Sequence, residues 1–201
     1  MKRAQPYNRD QALAAALELF WRKGYHATSL KDLEQALSMK PGSIYAAFKS
    51  KRALYLACLE RYFNAGLDDF SAAIAQAPSY LEGLASYLRG FGKVKPSLAH
   101  ARACIIVKTA LNATDEDAEL QEQSRVYLRG MRAEFERCFE SAQTAGEMSD
   151  AFDPAQLAVQ YQADLTALRI EAQHGLDADA LKWLADRKAD DVLALGQLHS
   201  A

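Results

Sequence analysis

The stretch LSMKPGSIYAAFKSK, residues 37–51, decides how this chain is read. It sets Lys40, Lys49 and Lys51 around a Pro-Gly pair, with Tyr45 and Phe48 between them, in a chain whose formal net charge is −2. Pro41 suits the first position of a helix, where its missing N–H would have had no partner. The segment therefore predicts a short helix from Pro41 to Phe48. Pro41, Ile44 and Phe48 share one side of it, the buried one, and Tyr45 lies off that side.

Upstream, Ser29 followed by Asp32 is a capping-box pattern and opens a helix that buries Leu30, Leu33 and Leu37. Before it, Asn8 caps a helix whose apolar positions Leu13, Ala16, Leu17, Phe20 and Trp21 recur at three- and four-residue steps and which stops at Gly24. Two short helices joined by a tight turn, the second of them basic, describe a helix-turn-helix. In such a unit the second helix enters the major groove of DNA with its N-terminal side chains toward the base edges. Gly42 lets backbone approach the duplex, Ser43 offers a hydroxyl, and Tyr45 offers a ring and an OH one turn on. Lys40, Lys49 and Lys51, clustered at helix ends, are placed to hold phosphates.

Downstream, Ser50 caps a fourth helix whose stripe Leu54, Cys58, Leu59, Tyr62 and Phe63 runs on without proline to Pro78. That is about 27 residues, or roughly 40 Å at the usual helical rise. Further helices are predicted over 80–92, 99–113, 117–145, 154–173 and 177–199, and no segment reads as a strand. Thr114 with Asp117 gives another capping box. Asp115, Glu116, Asp117 and Glu119 crowd the following turn, where the helix dipole favours negative charge, so the acidic run is read as a helix start and not as a metal site. The fold class is all-α, with about nine helices. A helix-turn-helix domain at 1–50 is joined by the long fourth helix to a helical domain at 51–201, with no flexible linker, repeat or low-complexity tract between them.

Composition agrees with a globular protein: half of the 201 residues are hydrophobic and a quarter charged. Charge is unevenly placed. Residues 1–62 carry eleven Lys/Arg against five Asp/Glu, and the remainder thirteen against twenty-one. A basic front on a near-neutral chain attracts polyanions, nucleic acid first among them. Cys58, Cys104 and Cys138 are odd in number and far apart, which encodes neither a disulfide framework nor a zinc site. The first residues lack the apolar core of a signal peptide, and no apolar run is long enough to span a bilayer. The cytoplasm is the expected compartment, with no membrane partner.

The segment TSLKDLEQALSMKPGSIYAAFKSKRALY, residues 28–55, resembles the DNA-binding signature of the TetR/AcrR family of transcriptional regulators. The likeness rests on Thr28, Ser29, Leu33, Ala36, Gly42, Ser43, Ile44, Tyr45, Phe48, Ser50 and Lys51 in one register, and on Phe20-x-x-x-Gly24-Tyr25 closing the first helix. Ala46 and Ala47 stand where family members often carry His or Tyr, and Lys40, Lys49 and Lys51 are read as compensating. The segment from Ala101 to Gly130 is similar to one found in a broad subgroup, with Ala103 in the place of its glycine.

The resemblance implies a homodimeric regulator, a repressor by preference since occupancy alone blocks polymerase. It would bind a palindromic double-stranded operator and be released by a small-molecule effector. It adds Thr28 and Ser29 to the DNA-binding set of Lys40, Gly42, Ser43, Tyr45, Lys49 and Lys51. It implies a ligand pocket, for which the aromatic and polar interruptions of the middle helices are the candidates: Tyr87, Phe91, Cys104, Lys108, Asn112, Tyr127, Met131, Tyr161 and Asp164. Cys104, with Lys108 one turn on, makes an oxidant or electrophile a candidate effector. A dimer interface is expected on the stripes Leu157, Leu165, Leu168 and Leu184, Val192, Leu195, packed as a four-helix bundle, with burial inside one subunit as the alternative.

No catalytic residue, cofactor or metal site is expected. Glu171-x-x-His174 lacks the second copy that a di-iron bundle needs, and His100 with Cys104 lacks further ligands. Gly90-Phe-Gly92 follows no strand, and no nucleophile elbow is present. The alternative from another class is a helical ligand-binding or metal-dependent enzyme that merely resembles the family.

Overall fold

The computed structural model describes residues 8–92, 104–112, 114 and 117–197. Among them nine helices and no strand occur: α1 (Arg9–Lys23), α2 (Leu30–Leu37), α3 (Pro41–Phe48), α4 (Lys51–Ala75), α5 (Tyr80–Gly92), α6 (Ile105–Asn112), α7 (Ala118–Thr144), α8 (Pro154–His174) and α9 (Ala178–Gln197). The expected helix order holds. Residues 99–103 of the predicted sixth helix, with His100 and Ala103, lie outside the described residues, as do Asp115, Glu116 and the last positions of the predicted ninth. The box expected at Thr114 is half formed. Its hydroxyl donates to the Asp117 carboxylate at 3.1 Å, while the Asp117 N–H turns to the Thr114 carbonyl, so α7 starts at Ala118.

The chain divides into two compact units, residues 1–64 and 65–201. The N-terminal unit therefore runs past residue 50, where its predicted boundary lies. The reason is burial: Leu54, Tyr55, Cys58 and Leu59 of α4 share a core with Leu13, Ala16, Phe20 and Trp21 of α1. Edge-to-face ring pairs, Phe20 with Tyr55 at 4.8 Å and Trp21 with Tyr62 at 5.3 Å, tie α1 to α4. Such pairs add about 0.5–1.5 kcal/mol each beyond the area they bury.

The second unit is built on α5, which packs with α7, α8 and α9 around Leu84, Leu88, Phe135, Phe139, Tyr161 and Leu168. Two features fix α5. The Glu147 carboxylate accepts the N–H groups of Tyr80 and Leu81, both at 2.9 Å, satisfying donors that a helix start leaves open. At its other end Gly92 lies so close to α9 that a Cβ there would stand 2.9 Å from the Lys182 Cα and the Ala185 Cβ. Arg89 adds an ion pair to Asp190 at 3.0 Å.

Candidate nucleic-acid interface

The interface grows from the turn after α1. Gly24 closes that helix at φ +80°, a region few side chains tolerate, and its carbonyl accepts the Thr28 hydroxyl at 2.7 Å. Thr28 is 1 % exposed and its hydroxyl is engaged in locking the turn, while the residue itself lines the notch described below. Ser29 then caps α2 in a complete capping box with Asp32. Lys23 reaches the Asp32 carboxylate at 2.7 Å. Those bonds, that of Lys23 foremost and those of Ser29 next, hold the Asp32 carboxyl well below the usual carboxylate range. The two start helices are thereby joined at one point.

Ser38, left-handed at φ +53°, ends α2, and Lys40 opens α3 with its carbonyl accepting from Ser43 and Ile44. The short helix buries Ile44 and Phe48, and its other side faces outward: Gly42, Ser43, Ala46 and Lys49 are exposed, and Tyr45 is 47 % exposed. The division into a buried side and an exposed side is thus the one the sequence predicts. Lys49 takes φ +67° to end α3, and the Ser50 hydroxyl caps α4 through Ala53 at 3.0 Å. Lys51 begins α4 with its ammonium 4.6 Å from the Tyr25 ring centre and 3.5 Å from the His26 carbonyl.

Between these parts lies a notch of about 360 Å³, floored by Leu33 and Ile44 and rimmed by His26, Ser29, Tyr45 and Lys51. Hydroxyl and ammonium donors above an apolar floor, in a basic region, can hold an anion at the surface while side chains of α3 meet base edges. His26 is the member the sequence reading missed. Its signal was only its place between Tyr25 and Thr28.

In the second unit, part of the predicted ligand set comes together. The Tyr87 ring meets Phe70 at 5.2 Å and Phe91 at 5.3 Å, and the Arg169 guanidinium stands 4.9 Å from the Phe91 ring centre. Burial pushes the Tyr87 phenol above its ordinary range, against the pull of Arg169, which also hydrogen-bonds it; Asp69 adds to the rise. Arg169 is a second residue missed, a cation set into the stripe Leu165, Leu168, Ala172. Cys104, Lys108, Tyr127 and Met131 are half-buried, whereas Asn112 is exposed. Tyr161 lies in the core and spends its hydroxyl on the Leu84 carbonyl at 2.8 Å, and Asp164 is paired with Lys188 at 2.9 Å. Among the described residues no group of three His, Cys, Asp or Glu is placed to hold a metal ion.

The stripes expected at the dimer interface face inward in the single chain, the alternative that the sequence leaves open. Leu168 is 1 % exposed in the single chain, Leu165 and Val192 are buried with it, and Leu157, Leu184 and Leu195 pack against the same core. Leu157, Leu184 and Leu195 remain half-buried. The outward side of α8 holds Val159, Ala163, Ala167 and Ile170, all exposed, and Trp183 of α9 is 66 % exposed.

Residues 12–58 match the family model of bacterial regulatory proteins of the tetR family, and residues 81–186 match that of the tetracyclin repressor-like C-terminal domain. The chain is 27 % identical over 188 residues to the HTH-type transcriptional repressor ComR of Escherichia coli K12, covering 91 % of this chain and 88 % of that one. A cysteine-substituted form of the TetR family regulator CifR, solved with 26-base-pair operator DNA, superposes with a TM-score of 0.84. Its identity is 28 %, over 94 % of this chain and 98 % of that one. A TetR family regulator from Cytophaga hutchinsonii has the same fold, with a TM-score of 0.83 at 19 % identity over 96 % of this chain and 98 % of that one.

Proposed function

The chain belongs to the TetR family of bacterial regulatory proteins, and from that premise we propose that it is a homodimeric repressor released from a palindromic operator by a small-molecule effector. The observation that carries the DNA-binding part is the outward side of α3, where Ser43, Tyr45 and Lys49 stand exposed beside the notch that Lys51 rims. Selection of bound fragments from sheared genomic DNA tests it. An inverted repeat with half-sites about one helical turn, roughly 34 Å, apart is expected, and recovery of no common sequence at moderate salt refutes it. A DNA-binding regulator works beside the chromosome, which supports the cytoplasm as its compartment. No helix among the described residues is long and apolar enough to cross a membrane.

The second copy is proposed to dock on the outward side of α8 with Trp183. From Gln156 to Gln173 the exposed positions of α8 carry no charge. Ala163 and Ala167 permit close approach of a partner backbone, and the large flanking side chains supply apolar area. Occupation by a copy of the same chain follows from self-complementarity, because a two-fold axis brings the same residues face to face.

The effector is placed beside Tyr87, Phe91 and Arg169. Its influence on DNA travels through α4, which contributes residues to both units. A thiol version of the switch is favoured by one contrast. Burial pushes the Cys58 and Cys138 thiols up to about 12, whereas Cys104 is half-buried and lies just before α6.

A further inference from the structure

We propose that the notch between the α1–α2 turn and α3 seats a single backbone phosphate of the operator, and that His26 is the contact that makes this grip depend on pH. The inference rests on the DNA-binding reading and adds a residue that reading does not use.

The geometry gathers three different donors around one opening. Tyr45 brings a hydroxyl from α3, Lys51 an ammonium from the start of α4, and His26 an imidazole from the turn. Lys51 and His26 are neighbours there, because the ammonium lies 3.5 Å from the His26 carbonyl. The Tyr25 ring meets the imidazole edge to face at 5.1 Å and also carries Lys51 on its surface at 4.6 Å, so one side chain touches both groups. The floor of Leu33 and Ile44 offers an anion nothing, which keeps it at the rim among the donors. Phosphate contacts of this kind fix the register of a protein on the duplex.

An imidazolium gives a phosphate two N–H donors and a charge, and neutral imidazole gives one donor and no charge. A phosphate beside His26 therefore favours the protonated form, binding takes up a proton, and affinity rises as pH falls through the range in which histidine ordinarily titrates. Charged groups from three elements surround His26. They are Lys51 on α4, Lys23 on α1 and, on α2, the Asp32 carboxylate, which Lys23 and Ser29 hold well below the usual carboxylate range.

The test measures the affinity of the full-length protein for a selected operator duplex by fluorescence anisotropy from pH 7.5 to 5.5 at fixed ionic strength. Wild type is expected to tighten about three- to tenfold, since one unit of pKa shift is tenfold in affinity. His26→Gln should lose that increase. His26→Arg, which keeps the charge, should bind at pH 7.5 as wild type does at pH 5.5, and this also shows that the turn tolerates substitution. Equal pH slopes for wild type and His26→Gln overturn the proposal and leave the DNA-binding reading standing. Failure of wild type to prefer the selected operator over random duplex at any pH overturns that reading instead.

Discussion

Ile44 and Tyr45 are adjacent on α3 and have opposite surroundings: the first is buried and the second faces outward. Substitution of Tyr45 should therefore act on recognition and not on folding. Tyr45→Ala is expected to weaken a selected operator by about 1–3 kcal/mol and random duplex little, whereas Lys51→Ala should weaken both alike and reduce the salt slope by about 1 per site. Anisotropy titrations at several salt concentrations separate the two, and identical losses on both duplexes for Tyr45→Ala would remove it from the reading side. Thr28 gives the converse case. Its hydroxyl is buried on the Gly24 carbonyl, so Thr28→Val should lower stability by about 1–3 kcal/mol in urea unfolding while leaving the salt slope unchanged. Thr28 and Ser29 are neighbours in one motif, and the sequence gives no sign of which points inward. That is settled by the φ of +80° at Gly24, which turns the chain so that Thr28 lands under the helix end.

At the scale of elements, α8 and α9 show why an apolar stripe does not name its partner. The leucines of α8 recur at helical spacing, and that periodicity correctly predicts a helix and a buried side. Burial against α5 and burial against a second chain demand the same pattern, so the choice falls to packing. Here Gly92 allows α9 to come close enough to α5 for Ala185 and Ala189 to be fully buried, and the leucines are used within the chain. The two sides of α8 should therefore respond differently. Leu168→Ala is expected to lower unfolding stability by about 2–5 kcal/mol through the cavity it leaves. Ala163→Glu or Trp183→Glu should shift sedimentation toward monomer at micromolar concentration and lose operator binding, because one half-site offers too few contacts. A Trp183→Glu protein that sediments like wild type would exclude this face as the interface.

For the molecule as a whole, the basic front and acidic remainder favour DNA binding at the N-terminal unit, and the proposed effector site lies in the other. Coupling between an effector and DNA typically amounts to about 1–3 kcal/mol, which is a five- to 150-fold loss of operator affinity, and reciprocity requires DNA to weaken the effector by the same factor. If the effector is an electrophile, N-ethylmaleimide should label Cys104 before Cys58 or Cys138 and release wild-type protein from DNA, while Cys104→Ser stays bound. Undiminished release of Cys104→Ser by the same reagent leaves a reversible ligand beside Arg169 as the signal.

The helix content, the order of helices, the helix-turn-helix and its outward tyrosine were all local properties: caps, a proline at a helix start, glycine stops and apolar spacing act within a few residues of where they are written. The tertiary structure alone decided what depends on residues distant in the chain. It carried the N-terminal core into α4 through Phe20 and Tyr55, and it brought His26 beside Lys51 across 25 positions. It also set Arg169 against Phe91 and turned Leu165, Leu168 and Val192 inward. A side chain's periodicity shows that it will be buried or exposed, but which partner buries it is a matter of how whole helices fit together, and no window of sequence contains that information.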